Sequence, residues 1–219
     1  MLFEFTRDFV FYKTIDNYEL VNEYLMKEIK SRRGKESRAW DICDTVTSFL
    51  NEPEFNAFLN EEPYINDILW NPLDEMLESV LDFRARGAPI PSCSKIRNFW
   101  YNVYPRGNFQ EIHNHRGSGI KYDDGYYYPS YSAIYIVDDG GAANTTVFTK
   151  TQDVLGNPGQ HRENFDTSEE NSIGTGTIIL FPCYLDHYVV PNLRGNERVT
   201  VTYNIDSLYP DSSYSKLND

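Results

Sequence analysis

The sequence predicts an α+β protein in which a double-sheet jelly roll is supported by N-terminal helices. Before residue 95 the apolar residues recur mainly at helical intervals, whereas from Lys95 onward short β-type runs alternate with turn residues. Seven or eight short antiparallel strands within about a hundred residues are typical of a jelly roll. We expect a single domain, with residues 1–94 as helical support, 95–206 as the core and 207–219 as a C-terminal tail.

The N-terminal elements follow from periodicity and helix-start signals. Residues 2–13 alternate loosely and predict a strand or a strand pair. Residues 16–19 have the spacing of a capping box, and Asn71-Pro72 offers a cap followed by a first-turn proline. The predicted helices therefore run from this capping box through Ile29, between Thr45 and Leu59 with an interruption near Pro53, and from Asn71-Pro72 to about Arg86-Gly87.

The strands of the second part are bounded by clusters of Gly, Pro, Asn and Asp, which favour turns. The seven candidates are residues 96–104, 109–115, 131–137, 145–149, 177–181, 187–190 and 198–205. Two long segments remain between them, and both are expected to be loops: residues 116–130, rich in Gly and Tyr, and residues 150–173, polar and acidic.

Composition excludes several classes of function. The formal net charge is −13, whereas a protein that binds nucleic acid normally has a basic face, so no direct nucleic-acid binding is expected. The longest apolar runs, such as residues 177–181, are too short to cross a membrane. The N-terminus lacks the pattern of a signal peptide. Three widely spaced cysteines do not suggest a disulfide framework, so a cytoplasmic protein is expected.

Three of the four histidines form the pattern with the clearest chemical meaning. His113 and His115 are two residues apart, so on one strand both would point to the same face. His187 on a neighbouring strand could complete a set of three ligands, and neutral imidazoles around an open cavity suit a mononuclear Fe(II) centre. Arg198 on the next strand suits a dicarboxylate co-substrate. An ion pair of Arg198 with Glu197 or Asp186 is the alternative.

Successive blocks of the chain resemble a known family. The blocks are residues 100–103, 107–108, 113–115, 132–136, 181–187, 190–192, 198–200 and 203–204. They are similar to the 2-oxoglutarate- and Fe(II)-dependent oxygenases of bacteria and tailed phages. The resemblance implies a double-stranded β-helix, iron at its open end and 2-oxoglutarate as co-substrate. It also implies that His113 and His187 bind the iron and that Arg198 binds the far carboxylate of 2-oxoglutarate.

Other residues would complete the co-substrate site. Thr200 follows Arg198 on the same strand face, and the hydroxyl of Tyr135 and the amide of Asn102 are candidates for further hydrogen bonds. The oxygenases of this superfamily carry a carboxylate two residues after the first histidine, where this chain has His115. Glu111 is the reserve carboxylate, and Asp123 and Asp124 are weaker stand-ins.

The tyrosines after the histidine pair suggest a substrate wall. Residues 116–130 contain glycines that allow movement, so this segment is a candidate lid. Its tyrosines provide rigid contact area with polar ends, although packing within the loop itself is equally consistent with the pattern. The candidate substrate residues are Tyr126, Tyr127, Tyr128 and Tyr131.

The function expected from these observations is a dioxygenase that hydroxylates a small molecule or a peptide and releases succinate and CO2. Two alternatives stay open. A cupin-type iron dioxygenase with three histidines, which uses no 2-oxoglutarate, would explain His115 directly. A non-catalytic jelly-roll module, for binding or associated with a virion, would use the histidines structurally or for zinc.

Overall fold

The computed structural model describes residues 8–34, 37–38, 45–49, 64, 66–83, 91–141, 146–152, 161–169, 173–193 and 196–209. The N-terminal elements are β1 (Phe11–Thr14), α1 (Tyr18–Arg32), β2 (Ser37–Arg38), β3 (Val46–Thr47), a π-helical turn (Asn66–Trp70) and α2 (Asn71–Phe83). They are followed by β4 (Cys93–Tyr104), β5 (Gln110–His113), β6 (Ile120–Tyr122), β7 (Gly125–Asp138), β8 (Thr146–Gln152), β9 (His161–Asp166), a 3-10 turn (Thr167–Glu169), β10 (Thr177–Pro182), β11 (Asp186–Val189) and β12 (Arg198–Leu208).

The strands form two antiparallel sheets that pack face to face. The larger sheet has the order β1-β10-β7-β12-β4-β3-β2, with β6 paired to β7, and the smaller has the order β5-β11-β8-β9. Between the sheets lies an apolar cluster that combines Ile134, Ile179 and Phe181 of the larger sheet with Phe148 of the smaller. The predicted jelly roll is confirmed.

The helices cover the outer face of the larger sheet. Val21, Leu25 and Ile29 of α1 pack in one core with alternate residues of the sheet strands. On β12 these are Val199, Val201, Tyr203 and Ile205. Successive side chains of a strand point to opposite faces, so the intervening residues of β12 point into the space between the sheets. One face of β12 is thus apolar and helix-facing, and the other carries polar side chains.

Two helix predictions need correction, and a third is confirmed at its start. The capping box is not formed, because Asn17 precedes α1 with φ 54° and makes no side-chain cap bond. Thr45–Leu59 is not one helix, since the β-branched pair Val46–Thr47 joins the larger sheet beside β4; residues 50–63 lie outside the described residues. The α-helix α2 begins at Asn71, as predicted from Asn71-Pro72, and a π-helical turn over Asn66–Trp70 directly precedes it.

Both predicted loops contain strands. β6 and the start of β7 form a hairpin, in which Tyr122 pairs with Gly125 across a two-residue turn. Tyrosines favour strands, which outweighed the flexibility expected from the glycines of this segment. In the second segment, β9 pairs with β8. The C-terminal boundary also shifts, because β12 continues to Leu208. None of the described helices combines the length and hydrophobicity needed to cross a membrane.

Candidate metal centre

Two of the three histidines are brought together by strand pairing. His113 is the last residue of β5 and pairs directly with His187 of β11. Directly opposed side chains on neighbouring antiparallel strands lie close together. The ring centroids of these two histidines are 4.3 Å apart.

His115 reaches the same point from outside the strand. It lies two residues beyond the end of β5, where its backbone N–H donates to the carbonyl oxygen of Cys183 at 2.8 Å. Its ring centroid is 5.4 Å from that of His113 and 5.0 Å from that of His187. One imidazole nitrogen from each of the three rings lies within 4.8 Å of the others. The regular-strand spacing that we expected for His113 and His115 is therefore wrong, but the rings meet.

Hydrogen bonds orient all three rings in the same way. The Nδ1 atoms of His113, His115 and His187 lie 2.7, 2.7 and 3.1 Å from the carbonyl oxygens of Glu111, Asn204 and Leu185, respectively. A carbonyl oxygen can only accept, so each Nδ1 carries the proton and donates. Each Nε2 therefore keeps a lone pair, which is the form that binds a metal.

The acceptor for His115 is the side chain of Asn204, which the sequence analysis did not identify. Its Oδ1 also accepts from the hydroxyl of Ser132 at 2.9 Å. Two signals in the sequence pointed to it: residues 203–204 form one of the blocks that resemble the family, and Asn204 lies six residues after Arg198, on the same face of a regular strand.

Burial keeps the three imidazoles neutral. It lowers the pKa of His113, despite the opposing hydrogen bond to the Glu111 carbonyl. Burial, reinforced by the neighbouring His113, lowers the pKa of His115 to about 4 and that of His187 well below its usual value. Metals compete with protons for imidazole, so neutral rings at pH 7 favour metal binding.

A cavity extends from the histidines between the two sheets. On the wall formed by β4 and β12, the residues pair as Trp100 with Thr202, Asn102 with Thr200 and Tyr104 with Arg198. The remaining lining residues, besides the three histidines, are Gln110, Ile134, Thr146 and Val189. The cavity thus combines a histidine end with a polar end at Arg198.

Arg198 is almost fully buried at this polar end, with 3% of its surface exposed. Its Nη2 donates to the hydroxyl of Thr146 at 2.9 Å, and its guanidinium carbon lies 5.3 Å from the centre of the Tyr104 ring. Burial lowers the pKa of Arg198, but from so high a value that the group stays charged near pH 7. The two acids considered as alternative ion-pair partners of Arg198 have other contacts. Glu197 pairs with Arg33, and Asp186 accepts a hydrogen bond from the amide of Asn114.

Of the other three predicted co-substrate residues, two line the cavity and one does not. Thr200 and Asn102 face each other there, and the amide of Asn102 donates to the hydroxyl of Thr202 at 3.3 Å. Tyr135 pairs with Val201, so it lies on the helix-facing side of the sheet, where its hydroxyl donates to Asn22 at 2.7 Å. Its expected contact with the co-substrate is therefore wrong.

The four candidate substrate tyrosines do not line the cavity either. Tyr131 belongs to the core beneath the helices. In the β6–β7 hairpin, the hydroxyl of Tyr126 donates to the carbonyl oxygen of Gly119 at 3.1 Å, and that of Tyr127 donates to Asp124 at 2.9 Å. The ring of Tyr128 packs 5.0 Å from that of Tyr126. Tyr127 and Tyr131 are buried, whereas Tyr126 is 46% exposed, so packing within the protein, the alternative interpretation, applies to Tyr127 and Tyr131 but not to all four.

No carboxylate joins the histidine cluster among the described residues. An irregularity in the pairing of β5 with β11, which matches Gln110 with Val189 and His113 with His187, leaves Gln110 rather than Glu111 in the cavity lining. Asp124 is held by Lys95 at 2.6 Å, and Asp123 lies in the turn of the hairpin. The expected reserve carboxylates are therefore not part of the site.

Part of the chain matches a known protein family. Residues 98–204 match the model of a family described as "Putative 2OG-Fe(II) oxygenase". No curated protein matches the chain.

Solved structures share the fold. A prolyl-4-hydroxylase of Pseudomonas putida is 16% identical, with a TM-score of 0.50 over 90% of this chain and 92% of that chain. A 2OG-Fe(II) oxygenase family oxidoreductase of Burkholderia pseudomallei is 15% identical, with a TM-score of 0.54 over 91% and 88%. HygX of Streptomyces hygroscopicus, crystallised with nickel and 2-oxoglutarate, is 10% identical, with a TM-score of 0.52 over 90% and 82%. At these identities the likeness concerns the fold alone.

The matched residues contain the three histidines, Asn204 and every residue that lines the cavity. Through this region, which is just under half of the chain, the protein is similar to the 2OG-Fe(II) oxygenases.

Proposed function

We propose that the protein is a 2-oxoglutarate- and Fe(II)-dependent dioxygenase that hydroxylates a small molecule or a peptide and releases succinate and CO2. The observation that carries this proposal is the convergence of three neutral imidazoles at one end of a cavity whose other end holds a buried arginine. The family match supports the same chemistry.

The donor set fits Fe(II). His113, His115 and His187 would bind the metal through Nε2, because each Nδ1 is committed to a carbonyl oxygen. Three imidazoles would leave other coordination positions for the co-substrate and oxygen. When bound, iron and 2-oxoglutarate together supply the activation of oxygen, which the protein side chains cannot perform themselves.

The ligand set also affects the charge of the site. Three neutral imidazoles leave the charge of a divalent metal uncompensated, whereas a carboxylate ligand would reduce it by one. Attraction between opposite charges is strong in a buried cavity. We therefore expect His115, in place of a carboxylate, to favour binding of the dianionic co-substrate.

Arg198 would bind the carboxylate of 2-oxoglutarate that lies farther from the metal. Its planar guanidinium can make two parallel hydrogen bonds to a carboxylate, and Thr146 and Tyr104 hold it in place. Thr200 presents a hydroxyl to the same cavity. Asn102 could add a donor after its amide rotates by half a turn, with the Thr202 hydroxyl then donating to it.

The surrounding residues would limit access of water to the metal. His187 packs against Phe181 with ring centroids 4.8 Å apart and against Phe148 with centroids 5.6 Å apart. Apolar walls lower the local polarity and strengthen the charge interactions inside the cavity. The protein would thus orient the ligands and keep the site dry.

The three-histidine dioxygenase that uses no 2-oxoglutarate is the second candidate. The observation in its favour is the absence of a carboxylate from the histidine cluster in the described part of the chain. In that reaction Arg198 would bind a carboxylate of the substrate itself.

One experiment separates the two candidates. Protein purified without oxygen is loaded with Fe(II) and titrated with 2-oxoglutarate, and a visible charge-transfer band reports direct coordination of the co-substrate. Oxygen is then admitted and succinate is measured. A band and succinate formation support the proposal, and His187→Ala should abolish both. If the wild-type protein binds Fe(II) but neither binds nor consumes 2-oxoglutarate, the proposal is wrong.

A further inference from the structure

We infer that the indole N–H of Trp100 is a recognition group for the carboxylate of 2-oxoglutarate nearest the metal. This inference rests on the proposed function and assigns a residue to its co-substrate site. Trp100 is 4% exposed and lines the same cavity as the three histidines.

The first argument is an unsatisfied donor. The Nε1 of Trp100 is buried and has no hydrogen-bond partner among the described residues. Buried N–H groups almost always have a partner, because leaving one without a partner destabilises the protein. Trp100 lines the cavity, so we assign the co-substrate as the partner of this N–H.

The second argument is the position of Trp100 along the cavity. Arg198 pairs with Tyr104, and Trp100 lies four residues away on β4, opposite Thr202. At about 3.4 Å per residue this places Trp100 roughly 14 Å along the strand from the level of Arg198. Its ring centroid lies 5.6 Å from that of His115. Trp100 therefore belongs to the histidine end of the cavity, and Arg198 to the opposite end.

The third argument is the chemistry of the ligand. 2-Oxoglutarate carries one carboxylate at each end, and an indole N–H can only donate. With Arg198 on the far carboxylate, the acceptors near the histidines are the other carboxylate, which is lost as CO2 in the reaction, and the keto oxygen beside it. The carboxylate carries the charge, so it is the stronger acceptor for the indole N–H. The indole is also held rigidly, since Phe49 contacts it edge-on at 5.1 Å.

The test compares two ligands and two variants. The ligands are 2-oxoglutarate and 4-oxopentanoate, in which a methyl group replaces the carboxylate next to the keto group. Binding is measured by calorimetry without oxygen on the Mn(II)-loaded protein, so the readout does not depend on turnover. Trp100→Phe removes the N–H and keeps an aromatic ring, and Trp70→Phe is the matched change away from the cavity.

We expect Trp100→Phe to raise the Kd of 2-oxoglutarate about 10- to 100-fold, as for a lost hydrogen bond to a charged group. The Kd of 4-oxopentanoate should change by less than about twofold, because it lacks the acceptor. Arg198→Lys should weaken both ligands, and Trp70→Phe neither.

An equal loss for both ligands, or an unchanged Kd of 2-oxoglutarate, would overturn the inference. If Trp100→Phe does not fold, as judged by circular dichroism, 3-benzothienylalanine is placed at position 100. It replaces the N–H by sulfur in a ring of similar size. An equal loss for both ligands, or an unchanged Kd of 2-oxoglutarate, would overturn the inference for this variant too. If the wild-type protein itself does not bind 2-oxoglutarate, the proposed function fails instead.

Discussion

Replacing Arg198 by lysine tests the polar end of the cavity. Lysine keeps the charge but cannot form two parallel hydrogen bonds to one carboxylate. Loss of one hydrogen bond to a charged group weakens binding by roughly 1.5–3 kcal/mol, which is about a 10- to 100-fold higher Kd for 2-oxoglutarate. The Arg198 contacts with Thr146 and Tyr104 are also lost. We therefore expect the metal-free protein to unfold about 1–3 kcal/mol more easily.

The assay measures binding of 2-oxoglutarate to the Fe(II)-loaded protein without oxygen, together with denaturant unfolding of the metal-free protein. Arg33→Lys is the matched control, because Arg33 pairs with Glu197 on the surface at 3.1 Å. That change should alter neither quantity appreciably. An Arg198→Lys variant that binds 2-oxoglutarate as tightly as the wild type would refute the assignment of Arg198.

Three further predictions concern the histidines and the hairpin. Asn204→Leu removes the acceptor for His115, so Fe(II) affinity should fall about 10- to 100-fold in a chelator competition; unchanged affinity would contradict the role of this hydrogen bond. His115 has a folded pKa of about 4 against 6.5. The unfolded chain therefore binds more protons between these values, and stability of the metal-free protein should fall as pH drops from 6.5 to 4. In unfolding measurements over that window, the stability of His115→Gln should depend less on pH than that of the wild type. An equal slope of stability against pH would contradict the lowered pKa of His115. Tyr126→Phe should leave binding of 2-oxoglutarate unchanged, since Tyr126 does not line the cavity. A large increase in the Kd of 2-oxoglutarate would show that the hairpin contributes to the co-substrate site.

The strand pattern and six of the residues that line the cavity could be predicted from the sequence. The seven predicted strands all appear, because alternating apolar residues between turn residues are a local signal. His113, His187 and Arg198 could be selected because few residue types bind iron or a carboxylate. Strand parity also placed Thr200 on the face of Arg198, since alternation within one strand needs no knowledge of its neighbours.

Only the tertiary structure decided which face of each strand borders the cavity and which neighbours complete it. Tyr135 and Tyr131 have suitable side chains, but pairing of β7 with β12 and β10 turns both toward the helices. Asn204 and Trp100 belong to the site because separate strands bring them to His115. The sequence alone determined the types of group available to the chemistry. Which of these groups border the cavity depended on strand register, since a shift of one residue moves every side chain of a strand to the opposite face.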